Sequence, residues 1–139
     1  MALSIELFWI SQLAAGWSWV EWFDMGRYLV TGSNRGIGLE YCRQLEARGD
    51  EVIAVCRDSS SELQALSVRV ESGVELTDSE TITELVRRLA GIRLDGVILN
   101  AGMRNPMDLD DLDPVSIRRQ FEVNALAPLL LTQAPVHQM

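Results

Sequence analysis

Three glycines carry the clearest chemical signal in this chain. They lie in Thr31-Gly32-Ser33-Asn34-Arg35-Gly36-Ile37-Gly38, between the short apolar run Tyr28-Leu29-Val30 and a helical pattern. A glycine pattern in a strand-to-helix turn suits a pyrophosphate. Gly32 lets the chain turn tightly off the strand. Gly36 removes a side chain where phosphate would approach the backbone, and Gly38 lets the helix pack closely on the strand. The helix N-terminus adds free N–H groups and a partial positive charge. Three glycines at a helix start are costly when no ligand has to fit. A second strand ends in Val55-Cys56-Arg57. An acidic residue at such a place suits the ribose 2′-hydroxyl of NAD, and an arginine suits the 2′-phosphate of NADP. Arg57 and Arg35 offer two guanidiniums for charge-assisted, bidentate phosphate contacts. Asp58 follows Arg57 and reads as a loop residue. The residues therefore favour NADP(H) over NAD(H).

Other chemistries find few residues to use. The chain has 139 residues and a net charge of −8, and all twelve of its basic residues are arginine. Any mechanism that needs a lysine is closed to the sequence as given. His137 is the single histidine, and with Cys42 and Cys56 it makes too small a ligand set for a His/Cys metal site. Both cysteines sit in apolar patterns and read as buried thiols of a reducing compartment, hence a cytoplasmic location. The acidic balance argues against nucleic-acid and anionic-membrane partners.

The elements that must position these residues alternate strand and helix. Gly36 to Arg48 is helical, with Ile37, Tyr41, Cys42 and Leu45 at helical spacing and Gly49 as the stop. Val52 to Cys56 reads as a strand, Ser60 to Leu66 as a short helix, and Val68 to Val70 as a third strand. Thr77-Asp78-Ser79-Glu80 has the form of a capping box ahead of the helical face Ile82, Leu85, Val86 and Leu89. Gly96 to Leu99 reads as a fourth strand. A last helix starts at Asp113 as N-cap and Pro114 as first residue, after an acidic cluster that suits the helix dipole. Ile117, Phe121, Ala125 and Leu129 form its expected apolar face, and Pro128 demands a kink or a local adjustment. Strands apolar on both faces, alternating with helices, imply an α/β fold with a parallel sheet covered on both sides.

Residues 1–24 differ from the remainder. They hold all four tryptophans and no arginine. Without a basic flank they do not read as a signal peptide, and their apolar run is too interrupted for a membrane span. They read as a Trp-rich extension before a domain of residues 25–139, with Met25 a candidate initiator. An interfacial or partner-binding helix is the other reading of this segment.

With these motifs in hand, the sequence resembles the short-chain dehydrogenase/reductase family. The likeness rests on Thr31 to Gly38, on Asn100-Ala101-Gly102 after the fourth strand, and on Phe121-Glu122-Val123-Asn124 in the last helix. Cys56-Arg57-Asp58-Ser59 and Leu76-Thr77-Asp78 look most like C-factor or sniffer-type carbonyl reductases. The resemblance implies a Rossmann-type doubly wound sheet, here about four strands in the order 3-2-1-4. It implies that Gly32, Ser33, Asn34, Arg35, Gly36, Ile37 and Gly38 line the phosphates and that Arg57 holds the 2′-phosphate. Glu75 and Leu76 would lie beside adenine, where the family usually has an aspartate and an apolar residue. Asn100, Ala101 and Gly102 would shape the ribose side and brace the sheet. Asn124 would support a proton relay through a water and a lysine. A small-molecule carbonyl substrate and a homo-oligomer are also implied.

The family's serine and Tyr-x-x-x-Lys lie downstream of the Asn124 position, and this sequence extends 15 residues past it. Tyr28 and Tyr41 stand in the wrong places to replace the tyrosine. The expectation is thus an NADP-dependent oxidoreductase represented by its cofactor-binding part, without turnover from these residues alone. A non-catalytic dinucleotide-binding module or a degraded gene product is the alternative. The edge of the fourth strand would be open, and the fold marginal or association-prone.

Overall fold

Apolar side chains at successive strand positions need cover on both faces of a sheet, and that need organises the molecule. The computed structural model describes residues 25–133, so the Trp-rich extension and His137 lie outside the described residues. The chain runs β1 (Arg27–Thr31), α1 (Gly36–Arg48), β2 (Glu51–Val55), α2 (Ser61–Gln64), β3 (Arg69–Glu71), α3 (Ser79–Arg88) and β4 (Gly96–Ile98). There follow α4 (Pro114–Phe121), a π-helical turn (Glu122–Leu126) and α5 (Ala127–Gln133). All strand pairs are parallel, and the order is β3-β2-β1-β4, as the family resemblance implies. Among the described residues β4 pairs with β1 alone.

The two-residue period of the strands sorts the core into two layers. Leu29, Ile53 and Val55 point to one side, where they pack with Ile82, Leu85 and Leu89 of the α3 segment and Leu131 of α5. Val30, Val52 and Ala54 point to the other, against Leu39, Cys42 and Leu45 of α1 and Leu63 of α2. The register sets Leu29 opposite Ile53 and Val97, so the layers run across neighbouring strands.

Several boundaries differ from the sequence reading. β3 starts one residue later and ends on Glu71, whose buried carboxylate is paired with Arg69 and Arg88. The N-cap of α3 is Asp78, not Thr77: the Asp78 carboxylate accepts the Glu80 N–H at 2.9 Å, and the Thr77 hydroxyl is engaged by Glu75. In α1, Ile37 and Tyr41 are exposed, and Gly38 and Leu39 take their place on the buried side. The start of the last helix agrees, with the Asp113 carboxylate accepting the Val115 N–H at 2.9 Å and Pro114 as first residue.

The stripe Ile117, Phe121, Ala125 and Leu129 does not face the core. All four are exposed, and Ala127 and Leu131 supply the buried side of the last helix. The cause lies partly in Pro128. It lacks the N–H that the Asn124 carbonyl would meet in a regular α-helix. The helix accommodates it with the π turn just upstream, in which the Ala127 N–H bonds the Glu122 carbonyl. One extra residue in that turn rotates the segments on either side relative to each other.

Both cysteines are buried and free. Burial, with a smaller effect of the neighbouring Cys56, pushes the Cys42 thiol up to about 11. Burial and then Asp58 also raise the Cys56 thiol.

The packing generates two expectations. Leu85, fully buried, should lose about 2–5 kcal/mol of unfolding free energy on truncation to alanine. Leu129, 68% exposed, should lose under about 0.5 kcal/mol on the same change. Urea unfolding of the two variants compares them, and equal losses would contradict the assigned core. Ellman's reagent at pH 8 should label neither thiol of the folded chain, since Cys42 then holds on the order of a thousandth of its population as thiolate. Both should react after denaturation, and rapid labelling of the native chain would show the burial to be wrong.

Candidate functional site

A cleft of about 690 Å³ opens at the carboxyl ends of β1, β2 and β4. The strand order reverses here, because β1 has β2 on one side and β4 on the other. Such a switch point leaves a crevice between loops that diverge to opposite faces of the sheet.

Backbone contacts shape the floor of the cleft. Gly32 follows β1 with φ +66°, and a Cβ there would lie 2.8 Å from the Ala101 Cα. A Cβ on Gly38 would lie 2.2 Å from the Gly32 carbonyl oxygen, so α1 approaches β1 only because that position has no side chain. Gly36 differs: its φ is +57°, yet a Cβ there would meet no protein atom within 4 Å. The space before it belongs to the cleft, where the N-terminus of the 13-residue helix α1 presents its free N–H groups.

Hydrogen bonds tie this loop to the end of β4. The Asn100 amide nitrogen donates to the Thr31 and Gly32 carbonyls at 3.1 and 3.3 Å. The Ala101 N–H donates to the Thr31 hydroxyl at 3.0 Å. Ser33 turns inward, fully buried, and its hydroxyl donates to the Val55 carbonyl at 3.0 Å. It joins the glycine loop to the end of β2.

Of the residues singled out in the sequence, the cleft is lined by Gly32, Asn34, Arg35, Gly36, Ile37, Arg57, Glu75, Leu76, Asn100, Ala101 and Gly102. Ser33 and Gly38 lie beneath it. Asn124 also stands outside the lining. Its side-chain oxygen accepts the Met103 N–H, and its amide nitrogen donates to the Met103 carbonyl, both at 2.7 Å. This two-way amide contact fastens the π turn to the loop after β4.

The charged residues cluster at one end. Arg57 donates through Nε to Asp58 at 3.1 Å and through Nη1 to Glu75 at 3.4 Å. The other Glu75 oxygen accepts the Thr77 hydroxyl at 3.1 Å and the Thr77 N–H at 3.4 Å. Burial alone would raise the Glu75 carboxyl. The Thr77 bonds and the Arg57 guanidinium outweigh it and hold the group below the ordinary carboxylate range.

The sequence reading missed Arg104 and Arg119, which also line the cleft. Arg119 reaches it from α4 and approaches Glu75 at 3.9 Å. Its position five residues before Asn124 gave no signal, because the orientation of α4 depends on the π turn and its loop contact.

The sequence from residue 27 to 139 matches the family model for short chain dehydrogenases. The chain belongs to the short-chain dehydrogenase/reductase family. It is 39% identical over 112 residues to the 1-hydroxy-2-glutathionyl-2-methyl-3-butene dehydrogenase of Rhodococcus sp. strain AD45, a match covering 79% of this chain and 50% of that one. Among solved structures, it superposes on a short-chain dehydrogenase from Streptomyces avermitilis with TM-score 0.74 and 28% identity, covering 84% of this chain and 45% of that one. The NADPH-bound carbonyl reductase from chicken fatty liver gives TM-score 0.68 and 30% identity, covering 84% of this chain and 52% of that one. The chain spans about half the length of the relatives it matches. Among its described residues, no helix is long and apolar enough to cross a membrane.

A dinucleotide fits these residues: the glycine floor leaves room before Gly36, a helix N-terminus faces that room, and guanidiniums stand at its end. The close approach at Gly38 makes a sharp expectation. Gly38→Ala should destabilise the fold by about 1–3 kcal/mol or more, because the clash is with backbone that cannot swing aside. A urea midpoint equal to that of the unmutated chain would refute the tight approach.

Proposed function

We propose that this chain is the cofactor-binding part of an NADP(H)-dependent oxidoreductase acting on a carbonyl/alcohol pair. The observation that carries the reading is the charge of the cleft. Arg35, Arg57, Arg104 and Arg119 line it against only Asp58 and Glu75. The whole chain has the opposite balance, with 20 acidic residues to 12 arginines. A cleft cationic against an acidic background suits a ligand with several phosphates. The NADPH-bound state of the chicken carbonyl reductase supports the same reading.

Within it, the α1 N-terminus and the backbone around Gly36 receive the pyrophosphate. Arg35 and Arg57 hold the 2′-phosphate, and Glu75 and Leu76 border the adenine. Asn100, Ala101 and Gly102 border the ribose and keep the β1 and β4 ends in register. Asn124 positions the loop after β4 through Met103, which is its contribution to any proton relay. The bound nicotinamide supplies the hydride chemistry. The substrate would be a small carbonyl compound and the assembly a homo-oligomer.

Replacing Arg35 and Arg57 together by alanine tests the assignment. NADPH affinity should fall about tenfold or more, and NADH affinity far less, since only NADPH carries the 2′-phosphate. Quenching or enhancement of the nicotinamide fluorescence on titration reads both constants. Equal losses for the two cofactors would remove the 2′-phosphate from these arginines.

A further inference from the structure

Two guanidiniums from different elements converge on one oxygen of Glu75. Arg57, from the loop after β2, stands 3.4 Å from Oε2, and Arg119, from α4, stands 3.9 Å from the same atom. Both arginine side chains are more than half exposed, and Arg57 also bonds Asp58 at 3.1 Å, whereas Glu75 is 32% exposed and pinned through its other oxygen to Thr77. One anchored carboxylate thus meets two exposed cations in the lining of the cleft. An aspartate would be one methylene shorter and would reach less far toward them.

We propose that Glu75 is a specificity-determining residue, an internal anion that competes with the 2′-phosphate for Arg57 and Arg119, and that Arg119 is a further arginine of the phosphate site. The inference rests on the NADP(H) reading above. A phosphate carries more charge than a carboxylate and accepts bidentate guanidinium contacts, so it draws both arginines off Oε2. Glu75 stays on Thr77 and opposes the phosphate by like charge. Its carboxylate therefore lowers affinity for NADP(H) more than for NAD(H), and sets how strongly the cleft discriminates between them.

The test measures NADPH and NADH dissociation constants on the full 139-residue chain. It adds 2′,5′-ADP and 5′-AMP, which differ by the same phosphate. Glu75→Gln keeps an oxygen for Thr77 and removes the charge. It should raise the NADPH-over-NADH affinity ratio about two- to fivefold, the scale of an exposed ion pair. Glu75→Asp keeps the charge but withdraws it, and should raise the ratio less. Arg119→Ala should lower the ratio by a similar factor, and the 2′,5′-ADP over 5′-AMP ratio should follow in each case.

An unchanged or lowered ratio in both Glu75 variants would overturn the proposal, as would an unchanged ratio in Arg119→Ala. Arg57→Ala separates the two levels of failure. If it lowers the ratio while the other variants leave it unchanged, the NADP(H) reading stands and only the role of Glu75 and Arg119 falls. If the unmutated chain shows no preference for NADPH and Arg57→Ala changes nothing, both fall together.

Discussion

The whole arrangement hangs on how closely helix α1 approaches the end of β1. The Gly32 carbonyl oxygen lies where a side chain on residue 38 would begin, and the Asn100 amide that bonds this oxygen crowds the same point. That oxygen fixes the height of the helix above the sheet and joins β1 to the end of β4. From there a chain of contacts runs outward. Thr31 takes the Ala101 N–H, the loop continues to Met103, and Met103 is held at both its N–H and its carbonyl by Asn124. The π turn that carries Asn124 thus receives its position from the glycine floor, by way of four short polar contacts. A polar link of this kind is directional, so it fixes orientation where apolar packing would leave freedom to slide.

Features decided by local chemistry could be read from the residues. The start of α1 at Gly36 and its stop at Gly49 follow from turn and capping physics, as does the Asp113–Pro114 start of α4. The parallel sheet followed from strands that are apolar on both faces, and its order from the family resemblance. Features decided by competition between partners, near or distant, could not be read. Thr77 looks like a cap, but Glu75 takes its hydroxyl and leaves Asp78 to cap α3. Ser33 looks like a phosphate ligand, but the Val55 carbonyl across the sheet claims its hydroxyl. The stripe from Ile117 to Leu129 has helical spacing, yet spacing does not show which way a face turns, and the π turn within the stripe breaks its alignment. The π turn and the loop contact at Met103 decide the direction, and neither leaves a mark in the hydrophobic pattern. Arg119 was missed for the same reason.

The cleft also shows how an acidic chain can present a cationic site. Several carboxylates outside the cleft are paired with arginine, as Glu51 of β2 is with Arg27 and Glu84 of α3 with Arg87. Such exposed pairs contribute little to stability, but they neutralise charge near where it arises. At the cleft the balance inverts, since four guanidiniums face two carboxylates. Field lines concentrate in a concave site bounded by low-dielectric walls, so a modest excess acts there more strongly than it would on an open surface.

That excess is built wholly from arginine, and the sequence has no lysine anywhere. Guanidinium stays protonated at any pH a cell can reach, and it is not a target for lysine acetyltransferases. The cationic character of the cleft is therefore a fixed quantity: neither a drop in cellular pH nor the acetylation state of the proteome can dial it down. Amine-directed labels would pass the cleft by, and an arginine-directed dicarbonyl would find it.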